Sequence, residues 1–155
     1  MPPMHVNGTM RLGERGATLI KGKETLRLTA YLPTPDDVPT IGWGSTKGIK
    51  LGMTITAAQA EQLFTQDTAD AVSAVRKIGV PLSQSMFDAL VSFVFNCGAG
   101  AVAPDSTVGK ALRERRYFDA WAGFSLWRKQ AGKDLRGLAI RRAQEMVLFF
   151  EDQLP

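Results

Sequence analysis

The feature that most constrains the fold is a change in hydrophobic periodicity near residue 56. Residues 26–31 alternate between apolar and polar side chains, and residues 40–43 form a second short run after a segment rich in proline and aspartate. This pattern predicts two antiparallel strands joined by a turn. Beyond residue 56, apolar side chains recur at helical spacing almost to the C-terminus. We therefore predict an α+β fold that is mainly helical and contains a small antiparallel sheet.

A long helix is predicted directly after the sheet. Thr56 and Gln59 form the Thr-x-x-Gln pattern of a capping box, which marks a helix N-terminus. A helix over residues 57–78 would be about 30 Å long at ~1.5 Å per residue, long enough to link two lobes. Ser83 is expected to cap the next helix, in which residues 86–95 are apolar nearly all round. We expect that helix to form the buried centre of the larger lobe.

Shorter patterns predict the remaining elements. Helices are expected over residues 9–23, 105–115, 118–127 and 137–150, and a third short strand is expected over residues 47–51. Glu24 would then lie between the first helix and the first strand.

Residue types exclude several kinds of catalysis. The single histidine, His5, lies in the N-terminal tail, and the single cysteine, Cys97, lies in an apolar run where a buried structural thiol is expected. These two residues cannot supply a Ser-His-Asp triad, a Cys-His pair or a site with several histidine ligands. No cofactor or metal is predicted. No signal peptide or membrane-spanning apolar stretch is found, so we expect synthesis in the cytoplasm and no stable membrane insertion.

The net charge of +4 suits a polyanionic partner, either a nucleic acid or an anionic cell-wall polymer. Basic residues are dense between residues 113 and 142, but acidic residues are interspersed among them. This favours a solvated helical surface that attracts wall polymer over a nucleic-acid interface. Arg141 and Arg142 are expected to form local surface ion pairs with Glu145.

An acid, a nearby carboxylate and a hydroxyl are predicted around the hairpin. A glycoside hydrolase needs a proton donor for the leaving sugar and a held water on the opposite face. Glu24, Asp36 or Asp37, and Thr40 could supply these groups. By spacing alone, Glu24 could equally be a solvated side chain at a helix end and Asp36 a turn residue. Thr40 could likewise be an ordinary β-branched strand residue.

Five segments in order resemble the phage-type lysozymes, the endolysin muramidases of glycoside hydrolase family 24. They are Leu19-Ile20 through Glu24 to Tyr31, Pro39 to Gly44, Gly52 to Thr56 with Gln59-Ala60, Asp88 to Phe93 with Asn96 and Gly98, and Gly137-Leu138 through Arg141-Arg142 to Glu145. The resemblance implies one lysozyme-like domain over residues 1–155. It would have a small lobe at about 20–56, a linking helix at about 57–78, and a helical lobe at about 80–152 that includes the N-terminal helix.

The resemblance also implies an activity and its residues. It implies hydrolysis of the β-1,4 bond between N-acetylmuramic acid and N-acetylglucosamine in peptidoglycan. The family's catalytic Glu falls on Glu24, and the Thr of its Thr-Ile-Gly motif falls on Thr40. Substrate contacts are expected from both lobes, at Tyr31, Trp43, Phe95, Asn96, Ser106 and Thr107.

Several positions depart from the family pattern. The family's second carboxylate is expected where Pro33 and Thr34 stand, so Asp36 is favoured as its replacement and Asp37 is the alternative. Thr25 replaces the usual Gly after the catalytic Glu. Ser45 replaces a His that pairs with an Asp on the linking helix, so Asp67 is expected to find a hydrogen bond or Lys47.

Two other functions stay open. A lytic transglycosylase also uses one Glu but needs no positioned water, and a non-catalytic peptidoglycan-binding relative is suggested by Ser45 and the displaced aspartate. For the muramidase, the expected partner is the peptidoglycan glycan strand, and the expected oligomeric state is a monomer. The expected location is the host cytoplasm, followed by action on the cell wall or in the periplasm once a separate holin allows release.

Overall fold

The computed structural model describes the backbone of residues 5–22 and 24–154, and the chain divides into two compact units. One unit comprises Lys21–Asp70, and the other comprises Met1–Ile20 with Ala71–Pro155. The α-helices are α1 (Glu14–Lys21), α2 (Ala57–Arg76), α3 (Gln84–Cys97), α4 (Thr107–Arg113), α5 (Tyr117–Gly123) and α6 (Arg136–Phe149). The strands are β1 (His5–Val6), β2 (Arg27–Tyr31), β3 (Thr40–Gly42), β4 (Pro81–Leu82), β5 (Lys129–Gln130) and β6 (Lys133–Asp134). This mainly helical chain with small antiparallel sheets confirms the predicted fold class.

The predicted hairpin forms in the unit Lys21–Asp70. Strands β2 and β3 pair antiparallel, with Tyr31 opposite Thr40 and Arg27 opposite Gly42, and the register shifts between these two pairs. A third strand over residues 47–51 was expected, and this prediction is wrong. Gly48 and Gly52 adopt positive φ angles of 72° and 93°, which close turns there.

Backbone pairing resumes beyond these turns. Thr54 forms an isolated antiparallel bridge with Thr29. The Ala30 N–H donates to the Met53 carbonyl at 2.9 Å. The third segment of the sheet is therefore one bridge long and begins a few residues later than the sequence pattern indicated.

The capping box predicted for α2 is present. The Thr56 N–H donates to Gln59 Oε1 at 2.8 Å, and the Gln59 N–H donates to Thr56 Oγ1 at 3.1 Å. The helix ends at Arg76 instead of residue 78, because the chain tightens into a turn and Gly79 adopts a φ of 73°. The N-terminal part of the helix buries Ala60 and Phe64. Sequence pattern and local capping together account for this element.

Ser45 and Asp67 form a hydrogen bond between the sheet and α2 within the same unit. Ser45 is buried, and its Oγ donates to Asp67 Oδ2 at 2.5 Å. Asp67 thus obtains a hydrogen bond, which was one of the two expected outcomes, and its donor is Ser45 itself.

In the other unit, α3 forms the core. The Ser83 hydroxyl caps it by accepting from the Met86 N–H at 3.3 Å, as predicted. Every residue from Ser85 to Val94 is buried. The Phe93 ring stacks on Phe124 with centroids 4.4 Å apart, so aromatic packing attaches α3 to the chain after α5. This helix is the buried centre that its apolar sequence predicted.

The shorter helices end earlier than expected. Ser106 caps α4, which stops at Arg113 because Arg115 takes a left-handed φ of 57°. The helix predicted over 118–127 is divided into α5 and a 3₁₀ turn over Phe124–Leu126. No helix among the described residues is both long enough and apolar enough to cross a lipid bilayer.

A buried carboxylate of α3 caps α1. Asp88 Oδ1 accepts from the Gly13 N–H at 2.8 Å and from Gln84 Nε2 at 2.8 Å, and Asp88 Oδ2 accepts from the Gly16 N–H at 3.2 Å. A Cβ at Gly13 or Gly16 would lie 2.8 or 2.7 Å from Asp88 atoms. The first helix was expected from residue 9. It begins at Glu14 instead, since this contact between distant parts of the chain satisfies the N–H groups there.

Near the C-terminal end of α1, a cation from α6 forms a second tertiary contact with this helix. Arg141 Nη1 donates to the carbonyl of Leu19 at 2.5 Å. A carboxylate near the N-terminus of a helix and a guanidinium near its C-terminus both match the helix dipole.

We predict that Asp88 makes the chain less stable as pH rises through its native titration. Burial raises the pKa of Asp88 above its ordinary 3.8, although the hydrogen bonds from Gly13, Gln84 and Gly16 oppose the shift. The native state therefore holds this proton at pH values where the unfolded chain has lost it. Asp88→Asn removes the titration. The free energy of unfolding of the variant minus that of the wild type should increase between about pH 3 and about pH 7. Urea unfolding across this range tests the sign.

The comparison variant is Asp152→Asn, although the Asp152 charge is itself the smallest of the causes that act on the pKa of Asp88. Burial would raise the pKa of Asp152, but hydrogen bonds from Ser85, Ser83 and Gln153 outweigh it and lower the pKa overall. The same difference for this variant should decrease as pH rises, because the wild type gains stability when Asp152 ionises. If the difference in the free energy of unfolding also decreased with pH for Asp88→Asn, the raised pKa of Asp88 would be contradicted.

A second prediction concerns Ser45→Ala. Removing the buried hydroxyl breaks its bond to the exposed Asp67, so the free energy of unfolding should fall by about 0.5–1.5 kcal/mol. Thr46→Ala, at the exposed neighbouring position, should change it by less than about 0.5 kcal/mol. Equal effects in chemical denaturation would show that the Ser45–Asp67 bond adds nothing.

Candidate active site

Glu24 follows α1 closely. Its N–H donates to the Lys21 carbonyl at 3.1 Å, so its backbone is attached to the last residue of the helix. The residue is exposed, and no hydrogen bond or ion pair within the described part of the chain engages its carboxylate. Arg27, the nearest following cation, lies over the Tyr31 ring at 4.7 Å instead. The carboxyl group of Glu24 is therefore free to meet a ligand.

Thr40 begins β3 and is 6% exposed. Its Oγ1 donates to the Val38 carbonyl at 3.0 Å. A hydroxyl has one proton and two lone pairs, so with its proton used, the oxygen can accept a hydrogen bond from a water molecule. This is the arrangement that a water-holding threonine requires.

The two candidate second carboxylates differ in their contacts. Both Asp36 and Asp37 are exposed in the turn between β2 and β3. The Asp37 N–H donates to the Thr34 carbonyl at 3.1 Å, and Asp37 Oδ1 accepts from the Val38 N–H at 3.0 Å. No hydrogen bond or ion pair of Asp36 occurs among the described residues. Asp37 therefore stabilises the turn, and Asp36 has the free carboxylate.

Trp43 was expected to contact substrate, and one face of its ring is already covered. Lys21 Nζ lies 4.7 Å from the Trp43 ring centroid and 4.9 Å from that of Phe64. Glu61 Oε1 accepts from both Lys21 Nζ at 2.8 Å and Trp43 Nε1 at 2.9 Å. The Lys21 hydrogen bond lowers the pKa of Glu61, even though burial opposes it. Trp43 is half-buried, and its indole N–H is already engaged by Glu61.

The other predicted substrate contacts lie in the unit that comprises Met1–Ile20 and Ala71–Pro155, here called the helical unit. Phe95 and Asn96 are exposed near the C-terminal end of α3, and Thr107 is the exposed first residue of α4. The Ser106 Oγ accepts from the Gly109 N–H at 2.9 Å and donates to the Ala103 carbonyl at 2.8 Å. Ser106 is thus occupied as a helix cap, while the other three are open to solvent.

One prediction from the sequence is wrong for the helical unit. Arg142 and Glu145 were expected to form a local surface pair, but they are 1% and 0% exposed. Arg142 Nε donates to Glu145 Oε1 at 2.5 Å, and Ser92 Oγ donates to Glu145 Oε2 at 2.6 Å. Burial raises the pKa of Glu145, while Arg142 and Ser92 oppose the shift. Spacing of i and i+3 is the same for surface and buried pairs, so the sequence carried no sign of this network.

Cys97 also differs from expectation. It is only half-buried, and it lines a cleft of about 410 Å³ together with Asn96, Trp127 and Arg142. Lys129 and Gln130 of β5 line the same cleft. The β5–β6 hairpin was missed, since two-residue strands of exposed polar residues show no alternation.

Comparison with known proteins agrees with this fold. The phage lysozyme family profile matches residues 21–145. The endolysin of Salmonella phage P22 is 40% identical over 148 residues, which cover 90% of this chain and 98% of that protein. The endolysin of Bacillus phage PZA is 41% identical over 143 residues, and this chain spans only 55% of its length.

The fold is also similar to that of a solved phage endolysin structure. The endolysin from Escherichia coli O157:H7 phage FAHEc1 superposes with a TM-score of 0.78 at 36% identity, covering 96% of this chain and 98% of that chain. Sequence and structure thus confirm the expected kind of protein, a lysozyme-type glycoside hydrolase. The chain belongs to the phage lysozyme family.

Proposed function

We propose that this chain is a peptidoglycan muramidase that cleaves the β-1,4 bond between N-acetylmuramic acid and N-acetylglucosamine. Glu24 acts as the general acid and gives its proton to the leaving sugar oxygen. Thr40 holds a water, and Asp36 receives a proton from that water as it attacks. The observation that carries the proposal is the hairpin, which combines an unengaged carboxyl group at Glu24 with a buried Thr40 whose hydroxyl proton is already committed.

The charges suit this substrate. The chain carries 19 basic and 15 acidic side chains, so the approach of an anionic wall polymer is favoured. Aromatic and polar groups of the kind that bind sugars are offered by Tyr31, Trp43, Phe95, Asn96 and Thr107. Ser106 contributes by starting α4 at Thr107, since its own hydroxyl serves the cap.

Biologically, we propose that the protein is a phage endolysin of host lysis. It works as a monomer, accumulates in the host cytoplasm, and reaches the wall or periplasm after a holin opens the membrane. Expression in a host without a holin should then leave cells intact until chloroform is added. Spontaneous lysis without holin or chloroform would contradict this route.

Glu24→Gln tests the general acid. The amide cannot donate the proton, so the rate of lysis of permeabilised cells should fall by about 100-fold or more. Binding to isolated cell walls and the free energy of unfolding should stay unchanged. Glu14→Gln, at the exposed first residue of α1, is the matched control and should keep the wild-type rate. Equal rates for Glu24→Gln and wild type would reject Glu24 as the acid.

The products of digestion separate the alternatives. Mass spectrometry should find reducing N-acetylmuramic acid ends, because water completes the reaction. Anhydromuramic ends would identify a lytic transglycosylase. A wild-type protein that binds walls without releasing fragments would be a non-catalytic relative, which the Pro33 and Thr34 at the family's carboxylate position would then explain.

A matched pair of variants identifies the second carboxylate. Asp36→Asn should lower the lysis rate by about 100-fold, because no base then receives the proton of the attacking water. Asp37→Asn should keep the rate within about 2-fold, since an asparagine oxygen can accept from the Val38 N–H as well. The reverse order would assign the base to Asp37.

A further inference from the structure

Arg142 has an unusually complete set of partners. Its Nε and Nη2 donate to Glu145 at 2.5 and 3.2 Å, and Nη2 also donates to Asn96 Oδ1 at 2.8 Å. Its Nη1 donates to Cys97 Sγ at 2.6 Å and to the Trp127 carbonyl at 3.2 Å. A guanidinium has five N–H groups, so each of them has an acceptor here. Such a network holds its members in one geometry.

The contact with Asn96 determines which way its amide faces. Since Oδ1 accepts from Arg142, the Nδ2 group is turned away from the guanidinium. Asn96 itself is exposed and lines the cleft that Cys97 and Trp127 also line. Without Arg142, the amide could rotate and present either oxygen or nitrogen to a ligand.

The cost of burying the charges of Arg142 and Glu145 suggests that this pair does more than stabilise the fold. Burying two charges costs several kcal/mol per ion, and replacing a buried pair by apolar residues is often neutral or stabilising. Yet Arg142 and Glu145 are 1% and 0% exposed, and Ser92 supplies a further hydrogen bond to the carboxylate. A role in orienting Asn96 at the cleft would explain why the buried charges are present.

We infer that Arg142 and Glu145 are positioning residues that keep the Asn96 amide with its NH₂ group toward the cleft, ready to donate to an acceptor oxygen of the substrate. The acceptor chemistry is that of an acetamido or lactyl carbonyl, which N-acetylated muramyl sugars carry. This inference rests on the proposed function. It adds a way in which α6 controls substrate binding, through the orientation of the Asn96 amide.

The first test replaces the charged pair by apolar residues of similar volume, Arg142→Met with Glu145→Leu. Binding of soluble muropeptide oligomers is measured by calorimetry in a Glu24→Gln background, so the readout does not depend on turnover. The Kd should rise about 10-fold, the value of one well-oriented hydrogen bond, while thermal unfolding stays cooperative. Arg116→Met with Glu114→Leu removes an exposed ion pair as the control and should leave the Kd unchanged.

A second variant keeps the inference testable if the double replacement does not fold. Asn96→Asp preserves the shape and gives Arg142 a carboxylate, so the fold should be retained. It has no N–H to donate, so the Kd should again rise about 10-fold. Adding Asn96→Asp to the apolar pair should cause little further loss, because both changes remove the same contact.

The opposite results overturn the inference. An unchanged Kd for Asn96→Asp, or for a stably folded apolar pair, would show that the network is purely structural. Failure of the proposed function is a separate result. Wild-type protein that binds muropeptides but releases no products would reject the muramidase, while the order of Kd values among these variants would still test the positioning role.

Discussion

The contact between Asp88 and the start of α1 is the constraint on which the N-terminal part of this protein depends. It joins residues more than 70 positions apart and satisfies N–H groups that a short helix cannot satisfy itself. Two glycines permit the approach, because a Cβ at either position would collide with the carboxylate. Arg141 attaches the other end of the same helix. Glu24, with its N–H bonded to the last residue of α1, is thus next to an element that is capped at both ends.

A second theme is that polar groups in the helical unit are buried only as members of satisfied networks. Arg142, Glu145 and Ser92 lie among aromatic side chains, and the guanidinium is 5.3 Å from the Phe93 ring. Unpaired, any of these groups would cost several kcal/mol. Paired, they direct the side chain of Asn96, which the resemblance to phage lysozymes had already marked as a substrate contact. The same Arg142 side chain therefore packs against the Phe93 ring and holds Asn96 at the cleft.

The unit Lys21–Asp70 shows how a departure from the family pattern is accommodated. Ser45 has no charge, yet its hydroxyl still satisfies Asp67 at 2.5 Å, so a neutral hydrogen-bond donor takes the place of an imidazole. In the turn, Asp37 accepts a hydrogen bond from the Val38 N–H, and Asp36 has no partner among the described residues. Of the two adjacent acids, Asp37 therefore has a structural role.

Elements with local causes could be predicted from the sequence. The capping box at Thr56, the cap at Ser83, the apolar α3 and the alternating hairpin strands were all predictable, because each depends on residues a few positions apart. The motifs that carry the family resemblance lie where the local pattern is clear: Glu24 precedes β2, and Thr40 begins β3. Three features depend on tertiary contacts instead. Helix α1 begins at Glu14, the Arg142–Glu145 pair is buried, and Lys21 lies over the Trp43 ring. These features come from groups brought together across tens of residues, where burial and the satisfaction of hydrogen bonds outweigh local propensity.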